Sequence, residues 1–162
     1  MMRFYDDLRV GDRVALGSYL FTADDIKIFA GQFDPQPFHV DEGAGARSHF
    51  GALVASGWHT ASIWARKLAD HYKREAEILR ERGDPVPDIG PSTGFRDMRW
   101  YKPVFVGDTI TYSYAVTAMR VSPSIPARGE VSLLGEGTNQ HGERVISLEI
   151  VTLVERRDPT PP

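Results

Sequence analysis

At 162 residues, 41% hydrophobic and 25% charged, the chain has the size and composition of one globular domain, 1–162, with a real core; this excludes a disordered, collagen-like or membrane-embedded chain. Lys and Arg number 19 against 22 Asp and Glu, a net charge of −3 that argues against nucleic acid as the main partner. With no cysteine, disulfides, thiolate nucleophiles, iron–sulfur clusters and Cys-bound zinc are excluded. No run of about 18 apolar residues could cross a bilayer. The opening Met-Met-Arg-Phe-Tyr-Asp-Asp lacks the apolar block of a signal peptide, so a soluble cytoplasmic protein is expected.

The first predicted element is a strand within Asp12–Thr22. Thr22 then offers an N-cap, with Asp25 three residues on completing a capping-box pattern. Ile26, Phe29, Ala30 and Phe33 follow on one helical stripe. Asp34-Pro35-Gln36-Pro37 must end that helix, because neither proline donates a backbone bond and Pro35 pushes Asp34 out of the α region. Val40 to Gly51 reads as a loop or single helical turns. Ser56 caps the longest helical pattern, whose broad apolar face with many small residues (Ala61, Ser62, Ala65, Ala69) predicts deep burial. Its charged continuation from Lys73 to Arg82 reads as a solvated extension that Gly83-Asp84-Pro85 stops.

Beyond Ser92 the period becomes two. Strands are expected over Thr93–Tyr101, Thr109–Ala118, Glu130–Thr138 and Val145–Val154, the last three as antiparallel neighbours. Ile110, Tyr112, Tyr114, Val116 and Ala118 share one face. Residues 155–162 read as a frayed tail. Segregated helices and consecutive strands define an α+β fold, an antiparallel sheet curling around the long helix. Leftover apolar surface, with Tyr112, Tyr114 and Val116 available, predicts pairing with at least one further copy.

Two places can carry chemistry. Asp34 and His39 flank the rigid Pro-Gln-Pro segment; a neutral imidazole accepts a proton near pH 7, and an ionised carboxylate can orient it or polarise the same water. On spacing alone, a helix end followed by a turn accounts for the same residues. Ser56-Gly57 opens the long helix, where free N–H groups and the positive dipole end suit an oxyanion. Gly57 has no side chain to obstruct a ligand carbonyl, although capping and close packing also explain the pair. His59 is best read as packed, and Ser62 lacks a nucleophile elbow. No histidine spacing supports a metal site.

The run Phe29-Ala30-Gly31-Gln32-Phe33-Asp34-Pro35-Gln36-Pro37-Phe38-His39 resembles the signature of the MaoC-like dehydratases and (R)-specific enoyl-CoA hydratases. The resemblance continues through Phe50 to Gly57 and resumes at Trp100-Tyr101-Lys102-Pro103-Val104-Phe105-Val106-Gly107-Asp108, which is similar to the family's Lys-Pro-Val-x-x-Gly-Asp connection. It implies a hot-dog fold, usually dimeric, and reversible syn addition of water to a trans-2-enoyl-CoA thioester, with no metal or redox cofactor. Asp34 and His39 match the family's catalytic pair, and Gly57 matches the glycine whose N–H binds the thioester oxygen. Gln36 stands where the family has Asn, and Phe38 replaces an aliphatic residue, so acyl length and shape stay open. A hot-dog acyl-CoA thioesterase and a non-catalytic acyl-CoA binding module are the alternative readings.

Overall fold

The first helix and the long helix begin where the sequence places a cap. In the computed structural model, which describes residues 2–158, Thr22 Oγ1 accepts from the Asp25 N–H, and α1 runs Ala23–Phe33. It ends at Asp34, just before Pro35. Ile26 and Ala30 enter the core, and Phe29 stacks on His59. Phe33, expected on the same stripe, is exposed and leans on Phe29 instead. The stretch expected as a loop or single turns holds two short helices, α2 (Pro37–Val40) and α3 (Glu42–Arg47), the second capped by Asp41. The long helix, α4 (Gly57–Glu81), starts at the Ser56 cap. Just past its end, Gly83 adopts a left-handed φ of 72°, the usual way a helix is stopped.

Five strands follow the predicted pattern: β1 (Arg13–Leu20), β2 (Ile89–Trp100), β3 (Thr109–Val121), β4 (Arg128–Thr138) and β5 (Arg144–Glu155). They form one sheet in the order β1-β3-β4-β5-β2, every neighbouring pair antiparallel. β2 begins at Ile89, ahead of the expected Thr93, and includes Pro91. That proline is tolerated because β2 is an edge strand, where a missing N–H need not interrupt a ladder.

The sheet curls around α4, giving the expected α+β arrangement. Trp64 joins the two layers: its indole N–H donates to the Ser113 carbonyl at 3.0 Å. A Cβ on Gly135 of β4 would lie 2.3 Å from that indole, so only glycine admits it. On β3 the alternation holds from Ile110 to Val116, and a bulge between Val116 and Ala118 then turns Ala118 outward, since an extra residue shifts every later side chain to the other face. Tyr112, Tyr114 and Val116 are buried in the core, which corrects the expectation that they are available for pairing.

Deep burial of α4 is also only half realised. His59, Trp64 and Leu68 are covered, but Ser62, Ala65 and Ala69 are exposed and face an open apolar groove of about 900 Å³ between α4 and strands β2 and β5. The expected fraying does not begin at residue 155. The Glu155 N–H donates to the Asp88 carbonyl, Arg156 N–H to the Ala127 carbonyl and Arg157 N–H to Asp6; residues 159–162 lie outside the described residues. Among the described residues, no helix is long and apolar enough to cross a membrane.

Candidate active site

The site is assembled from three segments that the chain keeps apart. α1 ends at Asp34, and Pro37, as the first residue of α2, sets the short turn that carries His39. Residues 53–55 run alongside. The Val54 N–H donates to the Phe38 carbonyl, the Ala55 N–H to the Val104 carbonyl, and the Val106 N–H returns to the Leu53 carbonyl. This pins the approach to α4 between α2 and the Val104–Val106 connection. Asp108 holds that connection by accepting from the Phe105 N–H at 2.8 Å, and Gly107 makes the turn at a φ of 89°. The Gly-Asp motif therefore serves the site as a brace.

Asp34 and His39 meet, His39 Nε2 lying 3.5 Å from Asp34 Oδ2. The other ring nitrogen, Nδ1, is 2.7 Å from the Val54 carbonyl. A carbonyl oxygen only accepts, so Nδ1 carries the hydrogen and neutral His39 keeps its lone pair on Nε2, beside Asp34. The carboxylate is held just as firmly. The Ser56 hydroxyl donates to Oδ2 at 2.6 Å and the Gln36 amide to Oδ1 at 2.9 Å. The Ser56 bond is the main reason the Asp34 pKa lies below its ordinary value; burial opposes it, and the Gln36 bond and the nearby His39 reinforce it. Hydrogen bonds to the charged form favour ionisation. Gln36, the longer residue in place of the family's Asn, thus reaches back to the carboxylate.

Both residues open into a largely apolar cleft of about 480 Å³, whose walls include Phe38, Phe50, Trp58 and Trp100. Gly57 lies at its edge, and among the described residues its N–H has no hydrogen-bond partner. The neighbouring Trp58 N–H, by contrast, donates to Ser56 Oγ. Ser56, expected with Gly57 at the oxyanion or substrate site, directs its hydroxyl hydrogen at Asp34. The space left by the missing Gly57 side chain is also occupied. A Cβ there would sit 2.6 Å from the Trp100 indole, whose N–H donates to the Gly57 carbonyl at 2.9 Å. Lys102 of the third motif pairs with Glu143.

His59 is packed, as expected: it is buried among Phe29, Phe21 and Tyr19, and burial lowers its pKa to about 4. Ser62 is exposed on the groove face of α4. Among the described residues, no three acidic or histidine side chains converge in a metal-binding group. The Val54 carbonyl and the Trp100 indole were not legible as site groups. A backbone acceptor leaves no side-chain signal, and Trp100 had shown only as a neighbour of the Lys-Pro-Val motif.

Comparison with known proteins decides the family, because the MaoC like domain matches residues 9–132. The chain belongs to the MaoC-like dehydratase family. A MaoC-like dehydratase from Rhodospirillum rubrum superimposes with a TM-score of 0.76 at 36% identity, covering 96% of this chain and 99% of that one. The (R)-hydratase of A. caviae involved in PHA biosynthesis superimposes with a TM-score of 0.66 at 25% identity, over 90% of this chain and 96% of that one. Mesaconyl-CoA hydratase of Cereibacter sphaeroides is 37% identical over 84 residues, 49% of this MaoC-like chain but only 24% of the hydratase. The antiparallel sheet around α4 is thus the hot-dog fold of the MaoC-like dehydratases and (R)-hydratases.

Proposed function

We propose that this chain is a hydro-lyase that reversibly adds water to a trans-2-enoyl-CoA thioester. The observation that carries the reading is the pairing of His39 Nε2 with Asp34 Oδ2 at 3.5 Å in one apolar cleft, with His39 Nδ1 bound to the Val54 carbonyl. That bond leaves Nε2 as the proton acceptor. A water bound by both residues attacks C3 of the enoyl group, and one of its protons moves to His39 Nε2. The C2–C3 π electrons shift toward the thioester oxygen, which the Gly57 N–H receives. The proton then returns to C2 from the same face, so one water is added and nothing else is consumed. Ionised Asp34 holds the water and offsets the positive charge that develops on His39.

General acid–base work of this kind contributes roughly a hundred- to ten-thousandfold, and an oxyanion donor about 2.7–4 kcal/mol. The mesaconyl-CoA hydratase relative supports an acyl-CoA substrate. The reading includes a homodimer. Among the described residues β2 pairs only with β5, and this edge strand carries the exposed Phe95, a combination that soluble proteins cover.

The test is loss of enone-thioester absorbance with crotonyl-CoA, read beside free-CoA release. Hydration without CoA release is expected. CoA release from a saturated acyl-CoA would make the protein a thioesterase, and binding of acyl-CoA without turnover of any enoyl-CoA would make it a carrier or sensor.

A further inference from the structure

Two cavities meet at one side chain. Trp58 lines the cleft that holds Asp34 and His39, and it also lines the larger groove that runs along α4 past Ala61, Ala65 and Leu68. The groove is apolar and long enough to take an alkyl chain, yet the Trp58 indole stands between it and the catalytic pair. That indole is braced on one side. It meets Trp100 edge-on, with ring centroids 5.5 Å apart, a favourable aromatic geometry. Trp100 is itself fixed by its N–H bond to the Gly57 carbonyl and by the close approach of its ring to Gly57. The partition is therefore tied to the backbone at the start of α4.

We propose that the Trp58–Trp100 pair is the specificity determinant of this enzyme: it ends the acyl pocket at the cleft, admits short acyl groups and keeps longer chains out of the α4 groove. This rests on the enoyl-CoA reading of the site and adds the chain-length class to it. A bulky, well-packed wall rejects surplus methylenes because the chain must either displace an indole or leave its apolar end in water. Trp58 is the residue that the linings of the two cavities share, so shortening its side chain joins them.

The experiment compares kcat/KM for crotonyl-CoA and trans-2-dodecenoyl-CoA. The wild type is expected to favour crotonyl-CoA by about a hundredfold, the scale on which pocket shape discriminates apolar groups. In Trp58→Ala the ratio of dodecenoyl to crotonyl kcat/KM should rise by at least about tenfold. Trp58→Leu, which keeps an apolar side chain at the helix start, should move it the same way. Adding Ala65→Phe to Trp58→Ala refills the groove and should reverse the gain; persistence of the gain overturns the route along α4. An unchanged ratio in both single variants overturns the proposal, as does a wild type that hydrates both substrates equally well.

Calorimetry with saturated butyryl-CoA and dodecanoyl-CoA reads the wall without chemistry. Tighter binding of butyryl-CoA, lost in Trp58→Ala, supports it even if crotonyl-CoA is not hydrated, an outcome that would overturn the hydratase reading alone. Equal binding of the two by the wild type overturns the wall.

Discussion

Asp34 and Ser56 stand 22 positions apart in the chain and 2.6 Å apart in space, the Ser56 hydroxyl donating to Asp34 Oδ2. Ser56 Oγ in turn accepts the Trp58 N–H that opens α4. One small side chain thus caps the central helix and fixes the orientation and ionisation of the carboxylate. The start of α4 and the end of α1 are one unit of the site, and disturbing either is expected to reach the other.

Ser56→Ala should separate these two duties by pH. Loss of the cap should destabilise the fold by about 1 kcal/mol at any pH. Loss of the bond to Asp34 raises the carboxyl pKa back toward its ordinary value. Because Asp34 is depressed in the folded state, its stabilisation is present above the ordinary carboxylate pKa and disappears as pH falls through the folded value. The gap between wild type and Ser56→Ala, measured by urea unfolding, should therefore be widest at neutral pH and narrow in acid. A gap of constant size would remove Ser56 from the ionisation of Asp34.

Asp34→Asn and His39→Ala should each lower kcat by roughly a hundred- to ten-thousandfold while circular dichroism stays native. Under the proposal that both act on one water, the double variant should be little slower than the worse single variant. Multiplicative losses in the double variant would show that the two act independently.

Gly57→Ala places a methyl group where the Trp100 indole now rests. It should destabilise the fold by about 1–3 kcal/mol through overpacking and lower kcat/KM by shifting the N–H proposed to receive the thioester oxygen. In a Trp100→Ala background the added methyl has room, so the further loss of stability should largely vanish, a coupling read from a double-mutant cycle. Additive losses would mean that Gly57 is required for its backbone freedom, with the indole contact incidental.

His59 is neutral in the fold down to about pH 4, whereas in the unfolded chain it titrates near 6.5. Between those values the unfolded state binds the extra proton, so stability should fall as pH drops from about 6.5 toward 4. Burial lowers the pKa of His71 as well, with the same sign. His59→Phe, which keeps the aromatic packing, should flatten part of this acid slope in urea-unfolding midpoints. An undiminished slope would assign the loss to other groups.

Sedimentation at micromolar protein should give a homodimer. Phe95→Lys, a charge on the exposed edge of β2, should shift it toward monomer without changing the secondary-structure content. A monomeric wild type would leave the exposed Phe95 of that edge strand without a partner.

The local grammar of the chain determined its elements. Thr22, Ser56, Pro35 and Gly83 act on backbone groups within a turn or two, so the starts and stops of α1 and α4 were legible without the fold. The change from helical to twofold period likewise announced the strands, and the Asp34–His39 spacing across two prolines marked a candidate pair. Tertiary structure alone decided how those residues serve the site. No residue type at Val54 advertises that its carbonyl sets the His39 tautomer, since every residue carries that group. Ser56 reads as a cap from its neighbours, and its bond to Asp34 exists only because residues 53–55 are pinned between α2 and the Val104–Val106 connection. Tyr112, Tyr114 and Val116 show the same limit. Alternation reveals that they share a face, but whether that face meets α4 or a second copy depends on how the sheet curls. That is settled by packing between segments far apart in the chain, where glycines such as Gly135 admit Trp64.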